Sequence, residues 1–423
     1  MPTFSKGPVV AIIVAVLVVV AFMFFGGKKV EGPVIIEDDT AALPTSEETS
    51  SPTPAPAPEG SVSVPASGGA TKTPPPPVKP GASSSVTPTP PVAPPPVAGM
   101  RAKELVSPSW YLNTRNDPLT LAGLRGKKVV LLEFWTYTNL NSRRTIPYLN
   151  DWYTKYREKG LEIIAVHTPE FAFEKDQTRV QNATTEYGMS YPVVLDNAYA
   201  TWNAYGNKNW PHLYLIDIDG NIAYDRVGEG GYQAIEEKLQ ELLRARAAKL
   251  KLNVDVALQI APPAKAIPVS LGEIKTPELY LGSARNAYLG NGVAQKLGTQ
   301  SLVAPTDIKP STFTLGGEWN FLPEYATPKT PNATIGVRYT AKRVYLIGAA
   351  PGGMIRVRVT RDGQPLGTAA GKDVTTDQYG KSSVLISTER IYEIVNDPAG
   401  YGDHVLEFTI EAPGLQAYVI RFG

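Results

Sequence analysis

The side chains of this chain best placed to do chemistry are Asn139 and Ser142, with His167 and His212 as the groups that could serve them. They follow the apolar run Val129-Val130-Leu131-Leu132-Glu133 and the segment Phe134-Trp135-Thr136-Tyr137-Thr138, which reads as a buried strand passing through a short polar turn into a helix. A serine at such a helix start becomes a nucleophile only when a base takes its proton. Three histidines could act as that base, namely His167 at the end of a predicted strand, His212 after Pro211, and the distant His404. His167, His212 and Glu170 are also the available metal-type ligands, but no tight spacing such as His-x-x-x-His joins them, so no metal is expected. A plainer role suits both Asn139 and Ser142, because Asn and Ser are strong helix N-caps that satisfy otherwise free backbone donors.

The run Glu133-Phe134-Trp135-Thr136-Tyr137-Thr138-x-x-Asn141-x-x-Arg144, followed by Ile146-Pro147, resembles the redoxin segment of the DipZ and TlpA-like thiol-disulfide oxidoreductases. Three later segments are similar to that family too: Val166-His167-Thr168-Pro169-Glu170-Phe171-Ala172-Phe173-Glu174, Leu195-Asp196-Asn197-x-Tyr199-Ala200-Thr201-Trp202, and Trp210-Pro211 before Tyr214-Leu215-Ile216-Asp217. The resemblance implies an α/β thioredoxin-like fold over residues 105–251. It also implies two reactive cysteines at the positions held here by Asn139 and Ser142, and a cis proline, Pro211, facing them. In that family the first thiolate sits at a helix N-terminus, which lowers its pKa and makes it the nucleophile. An asparagine amide does not attack disulfides, and a serine hydroxyl neither resolves a mixed disulfide nor ionises near neutral pH. What the resemblance leaves in place is a candidate groove for an extended peptide, formed by Trp135, Tyr137, Trp210, Pro211 and His212. The same aromatics serve equally well as packing for the domain core.

Composition agrees with the loss. The 423 residues contain no cysteine, which removes disulfides, thiolate metal ligands and dithiol turnover together. The formal net charge is +1, so no basic footprint points to nucleic acid, and that class is set aside.

Ahead of these elements, Pro8 to Phe25 is an uncharged apolar run of 18 residues, followed by Gly26-Gly27-Lys28-Lys29. Residues 8–27 are long enough to cross a bilayer, so residues 1–29 read as a signal-anchor transmembrane segment, a cleaved signal peptide being the alternative. Residues 30–104 carry 17 prolines between Ala41 and Met100 among Ser, Thr, Ala and Gly. Such a segment buries too little apolar surface to offset its ordering entropy and is expected to be a disordered tether. A stalk after an anchor places the C-terminal domains outside the cytoplasm, on a single-pass protein of the cell membrane.

Between residues 105 and 251 strand and helix patterns alternate. Pro118 to Lys127 reads as a turn and a loop leading into a strand from Lys128 to Phe134, and Leu161 to His167 reads as a second strand; Thr145 to Lys159 carries Ile146, Leu149, Trp152, Tyr153 and Tyr156 at helical spacing. Phe173 to Tyr187 reads as a helix, Tyr191 to Leu195 as a strand and Ala198 to Tyr205 as a short helix. His212 to Ile218 and Ile222 to Val227 flank an Asp-Gly turn, as a hairpin does, and an amphipathic helix from Tyr232 to Lys251 follows.

After the proline-rich joint at residues 260–264 the texture changes to short strands: Phe313–Phe321, Ala333–Thr340, Lys342–Ala349, Met354–Arg361, Ser382–Ser387, His404–Glu411 and Leu415–Phe422. Residues 265–423 are therefore expected to form an all-β sandwich of jelly-roll type. Thr276-Pro277-Glu278-x-Tyr280-Leu281-Gly282, Gly317-Glu318-Trp319, Pro323-Glu324-Tyr325-Ala326, Arg390-x-Tyr392 and Ala417-Tyr418-x-x-x-Phe422-Gly423 are similar to the C-terminal domain that accompanies the redoxin unit in DipZ proteins, which looks like a carbohydrate-binding module. Trp319, Tyr325, Tyr339, Tyr345, Tyr379, Tyr392 and Tyr401 are candidates for sugar stacking, although most alternate with aliphatic residues as core positions do.

The expected function is a membrane-anchored, extracytoplasmic binding or assembly module, with no cofactor and no thiol turnover. Two other readings stay open: an enzyme of the oxidoreductase family with residual or partner-dependent activity, and a cell-envelope glycan binder.

Overall fold

A computed structural model describes residues 99–114, 117–256 and 259–423. The expected transmembrane segment at 1–29 and nearly all of the expected tether at 30–104 lie outside the described residues. No helix among the described residues is long and apolar enough to cross a membrane.

The first sheet has the order β1-β4-β3-β2-β5-β6. Its strands are β1 (Trp110–Leu112), β2 (Val129–Trp135), β3 (Leu161–His167), β4 (Val193–Leu195), β5 (His212–Ile216) and β6 (Ile222–Val227). β2 runs parallel to β3, and β3 to β4, whereas β5 and β6 are antiparallel. Every residue of β2 is buried, as expected of a central strand covered on both faces. Successive side chains of a strand point to opposite faces. Val129, Leu131 and Trp135 accordingly join one core, while Val130, Leu132 and Phe134 join the other. Glu133 falls on the first of these faces and is fully buried.

The helices are α1 (Leu121–Leu124), α2 (Leu140–Tyr156), α3 (Gln177–Glu186), α4 (Ala200–Ala204) and α5 (Tyr232–Leu250). α2 brings Ile146, Leu149, Trp152 and Tyr156 to the core that Ile235, Leu239 and Leu243 of α5 also fill. This is the thioredoxin-like arrangement expected of the segment. Three local expectations are corrected. α2 starts at Leu140, five residues earlier than the apolar spacing indicated, because Asn139 caps it ahead of Pro147. The stretch expected as one helix from Phe173 divides into a 3-10 turn, Ala172–Lys175, and α3, with Asp176 capping the latter through the Arg179 amide. The loop expected around residues 118–127 contains α1, capped by Thr120.

The C-terminal region is all β, in antiparallel pairs, and has thirteen strands among the described residues. They are β7 (Leu279–Tyr280), β8 (Gly298–Leu302), β9 (Thr312–Phe321), β10 (Ala326–Pro328), β11 (Ala333–Ala341), β12 (Arg343–Ala349), β13 (Ile355–Arg361), β14 (Gln364–Pro365), β15 (Val374–Thr376), β16 (Ser382–Ile386), β17 (Arg390–Asn396), β18 (Gly402–Ile410) and β19 (Gln416–Phe422). β9 joins two halves. Its residues 312–316 pair with β11, and its residues 317–321 pair with β8. The change falls at Gly317, whose φ of +100° is open to glycine and strained for other residues. Phe313 and Leu315 on one side of the bend, and Trp319 and Phe321 on the other, enter a single core. The seven anticipated strands are present as β9, β11, β12, β13, β16, β18 and β19. The additional ones are mostly short, and strands of two or three residues carry too little alternation to read.

Candidate functional site

The turn after β2 runs through Thr136, Tyr137 and Thr138 to Asn139, whose extended backbone (φ −78°, ψ 122°) makes it the N-cap of α2. Its side-chain oxygen accepts from the Ser142 backbone N–H at 3.0 Å. The side chain at the first reactive position of the family therefore satisfies a helix donor that a thiolate would face. Asn139 is 5% exposed and Ser142 is fully buried. The Ser142 hydroxyl has no hydrogen-bond partner among the described residues.

Among the described residues no base is hydrogen-bonded to the Ser142 hydroxyl. His167 is fully buried, 3.4 Å through Nε2 from the Thr136 hydroxyl, and it lies stacked on Tyr137 and edge-on to Trp135. Burial pushes its pKa down to about 3, so the ring is neutral at physiological pH. His212 is engaged elsewhere: its Nδ1 lies 2.5 Å from the Asn207 side-chain oxygen, its Nε2 lies 3.1 Å from Asp225, and its ring stacks on Tyr214. Glu170 belongs to a separate ionic cluster, and among the described residues no group of three or more His, Cys, Asp or Glu is arranged to hold a metal.

The groove candidates do not form one open wall. Trp135 is fully buried and Tyr137 is 7% exposed, because both pack into the core beneath α2. The Trp210–Pro211 bond is cis. His212 pairs with Phe134 in the sheet, which sets Pro211 opposite Trp135 at the end of β2 from which the turn departs. Pro211 is buried, and its carbonyl already accepts from the Gly228 N–H at 2.9 Å. Trp210 remains half-buried against Trp202.

The residues that cover this turn come from the β domain, and sequence spacing did not reveal them. Arg421 of β19 is fully buried. It donates to the Thr138 carbonyl at 3.0 Å and pairs with Glu170, and its Nε lies 3.4 Å from Glu278. Glu170 also pairs with Arg285 at 2.9 Å and accepts from the Tyr280 hydroxyl at 2.7 Å. Burial alone would push the Glu170 carboxyl up, but the Arg421 and Arg285 guanidiniums outweigh it and hold the group below its ordinary value. Glu174 takes the opposite course. Burial raises its carboxyl, Glu170 adds to the rise, and it accepts from the Thr138 hydroxyl and from the Glu170 and Phe171 amides. Around these charges Leu140 and Phe171 pack with Ile347, Ala349, Ile391, Tyr418 and Val419 of the β domain. The segments quoted for the family resemblance do contain Glu170, Phe171, Glu278, Tyr280 and Tyr418, which was the one available signal that they act together.

Of the sugar-stacking candidates, Trp319, Tyr339 and Tyr392 are core residues, and Tyr325 and Tyr345 pack beside the cluster just described. Tyr401 is partly buried and its hydroxyl accepts from the Ser270 amide at 2.8 Å. Tyr379 is 76% exposed.

Residues 98–242 match the family model described as Redoxin, and residues 276–423 match that described as a thioredoxin like C-terminal domain. The protein DipZ of Mycobacterium bovis is 37% identical over 288 residues, which cover 68% of this chain and 40% of DipZ. The chain thus spans about two fifths of the length of that relative. The thiol-disulfide oxidoreductase ResA of Bacillus thuringiensis is 33% identical over 124 residues, which cover 29% of this chain and 68% of ResA. Among solved structures, the thioredoxin domain of a thiol-disulfide oxidoreductase from Bacteroides vulgatus is 24% identical, with a TM-score of 0.28, over 33% of this chain and 96% of that one.

Proposed function

The chain belongs to the redoxin family of thioredoxin-like thiol-disulfide oxidoreductases, and we propose that within it this protein works as a membrane-anchored, extracytoplasmic binding or assembly module without thiol turnover. The observation that carries the reading is the cap: Asn139 stands at the nucleophile's position with its side-chain oxygen committed to the Ser142 amide. Two further facts support it. The 423 residues hold no cysteine, and the turn bearing Asn139 is covered by Arg421 from the β domain. A buried guanidinium on the Thr138 carbonyl suits a fixed scaffold better than a site that must open to a protein disulfide in each catalytic cycle.

The anchor half of the reading is supported by the uncharged run from Pro8 to Phe25. Membrane fractionation of cells making the full-length chain, beside a chain lacking residues 1–29, tests it. The full-length chain is expected in the membrane fraction and the shortened one outside it. Disulfide reduction by the full-length chain tests the chemical half; equal distribution of the two chains, or turnover above blank, would count against the respective half.

A further inference from the structure

A cleft of about 380 Å³ opens beside the capped helix, between α2 and α3 on one side and the β16–β17 connection on the other. That volume lies within the range of small-molecule sites. Its lining carries four cations, Arg143, Arg179, Lys372 and Arg390, against two carboxylates, Glu186 and Glu389. Two of the cations are spoken for: Arg179 pairs with Glu389 at 2.5 Å, and Arg390 pairs with Asp373 at 2.9 Å. Arg143 and Lys372 have no ion-pair partner within 4.0 Å among the described residues. Glu393 is within electrostatic reach of both, on β17, and burial holds its carboxyl above the ordinary value. Arg143 is held in place over the Tyr187 ring, 5.1 Å from its centre.

A second feature lies in the wall of the same cleft. Tyr137 lines the cleft, is 7% exposed, and its hydroxyl has no hydrogen-bond partner among the described residues. A buried hydroxyl without a partner costs stability unless something accepts from it. Two unpaired cations and a free phenolic donor are the complement of an oxyanion, and the exposed Asn182 and Thr388 add neutral hydrogen-bonding groups at the rim.

We propose that this cleft binds a small organic carboxylate, held by Arg143, Lys372 and the Tyr137 hydroxyl. Its standing as the module's ligand site rests on the binding reading given above. The carboxylate could belong to a sugar acid or to an aliphatic diacid, and the two are separable by titration.

The full-length chain is titrated with D-glucuronate, succinate and neutral D-glucose, and binding is followed by tyrosine and tryptophan fluorescence. Saturable binding of at least one acid is expected, with glucose at least roughly tenfold weaker. Preference for glucuronate identifies a sugar acid, and preference for succinate an aliphatic one; either supports the site. Arg143→Met and Lys372→Met should each weaken the acid by about tenfold or more, and Tyr137→Phe, which removes only the hydroxyl, should weaken it measurably while leaving the fold intact. No saturable binding of either acid, glucose binding as tightly as the acids, or binding unchanged in all three variants would overturn the site. Disulfide reduction measured on the same preparation separates the two ideas: turnover together with acid binding would remove the non-redox role and leave the site standing.

Discussion

Arg421 Nη1 donates to the carbonyl oxygen of Thr138 at 3.0 Å, across 283 positions of sequence, and so ties the last strand of the β domain to the residue before the helix cap. The same guanidinium pairs with Glu170, and both side chains are essentially sealed from solvent, at 0% and 2% exposure. Breaking a buried pair by removing one partner costs about 3–5 kcal/mol when the other charge is stranded; without Arg421 the buried Glu170 keeps only the partly exposed Arg285 as an ion-pair partner, at 2.9 Å, so the cost here falls toward the lower end.

Arg421→Met should therefore lower the stability of the chain by about that amount, read as a shift of the urea midpoint at constant slope. Adding Glu170→Gln to it should restore part of the loss, since a buried carboxylate left paired with the partly exposed Arg285 alone is then removed. A loss below about 1 kcal/mol in the single variant would show that the pair does not hold the two regions together.

Asn139→Ala should cost about 1 kcal/mol through the lost cap, while Asn139→Asp and Asn139→Ser, which keep a side-chain acceptor, should cost less. Thermal unfolding of the four proteins orders them. Equal stability of Ala and Asp variants would contradict a capping role.

Glu133 sets a pH dependence. Its carboxyl is fully buried, both oxygens lack partners among the described residues, and burial raises its pKa well above the ordinary value. The folded chain thus binds this proton more tightly than the unfolded chain. Its contribution to stability is complete below the unfolded value of about 4.3 and is lost as pH rises through the folded value. Glu133→Met removes the titration. The variant should gain on the parent as pH goes from about 5 to about 8 in urea unfolding, whereas a constant difference would show that Glu133 is not buried as described.

His167 has the opposite sign. Burial lowers its pKa from 6.5 to about 3, so its contribution is complete above about pH 6.5 and is lost as pH falls toward about 3. Relative to the parent, His167→Phe should become progressively more stable between about pH 7 and about pH 4. A difference that does not change with pH would mean that the ring is solvated.

Much of the first domain was legible because its elements are long and periodic: the apolar run of β2, the α2 face at Ile146, Leu149 and Trp152, and the Asp-Gly hairpin between β5 and β6 each carry their own signal. The position of Asn139 at a helix start was readable for the same reason. The lid over it was not. Arg421 and Glu170 lie 251 positions apart, and an arginine in a strand reads as a surface residue until a second domain is packed against it. Trp135 and Tyr137 are residues for which the sequence left two readings open. Aromatics beside a functional turn suggest an open wall, but strand alternation sends Trp135 into the core under α2, and Tyr137 stacks on buried His167. The short strands β7, β10, β14 and β15 follow from pairing with longer neighbours, which no local pattern records.

That this member of an oxidoreductase family binds without thiol chemistry is tested most directly by insulin disulfide reduction with the purified full-length chain. With dithiothreitol as the electron source, the predicted rate equals the protein-free blank at every protein concentration. A rate that rises in proportion to the chain would contradict it.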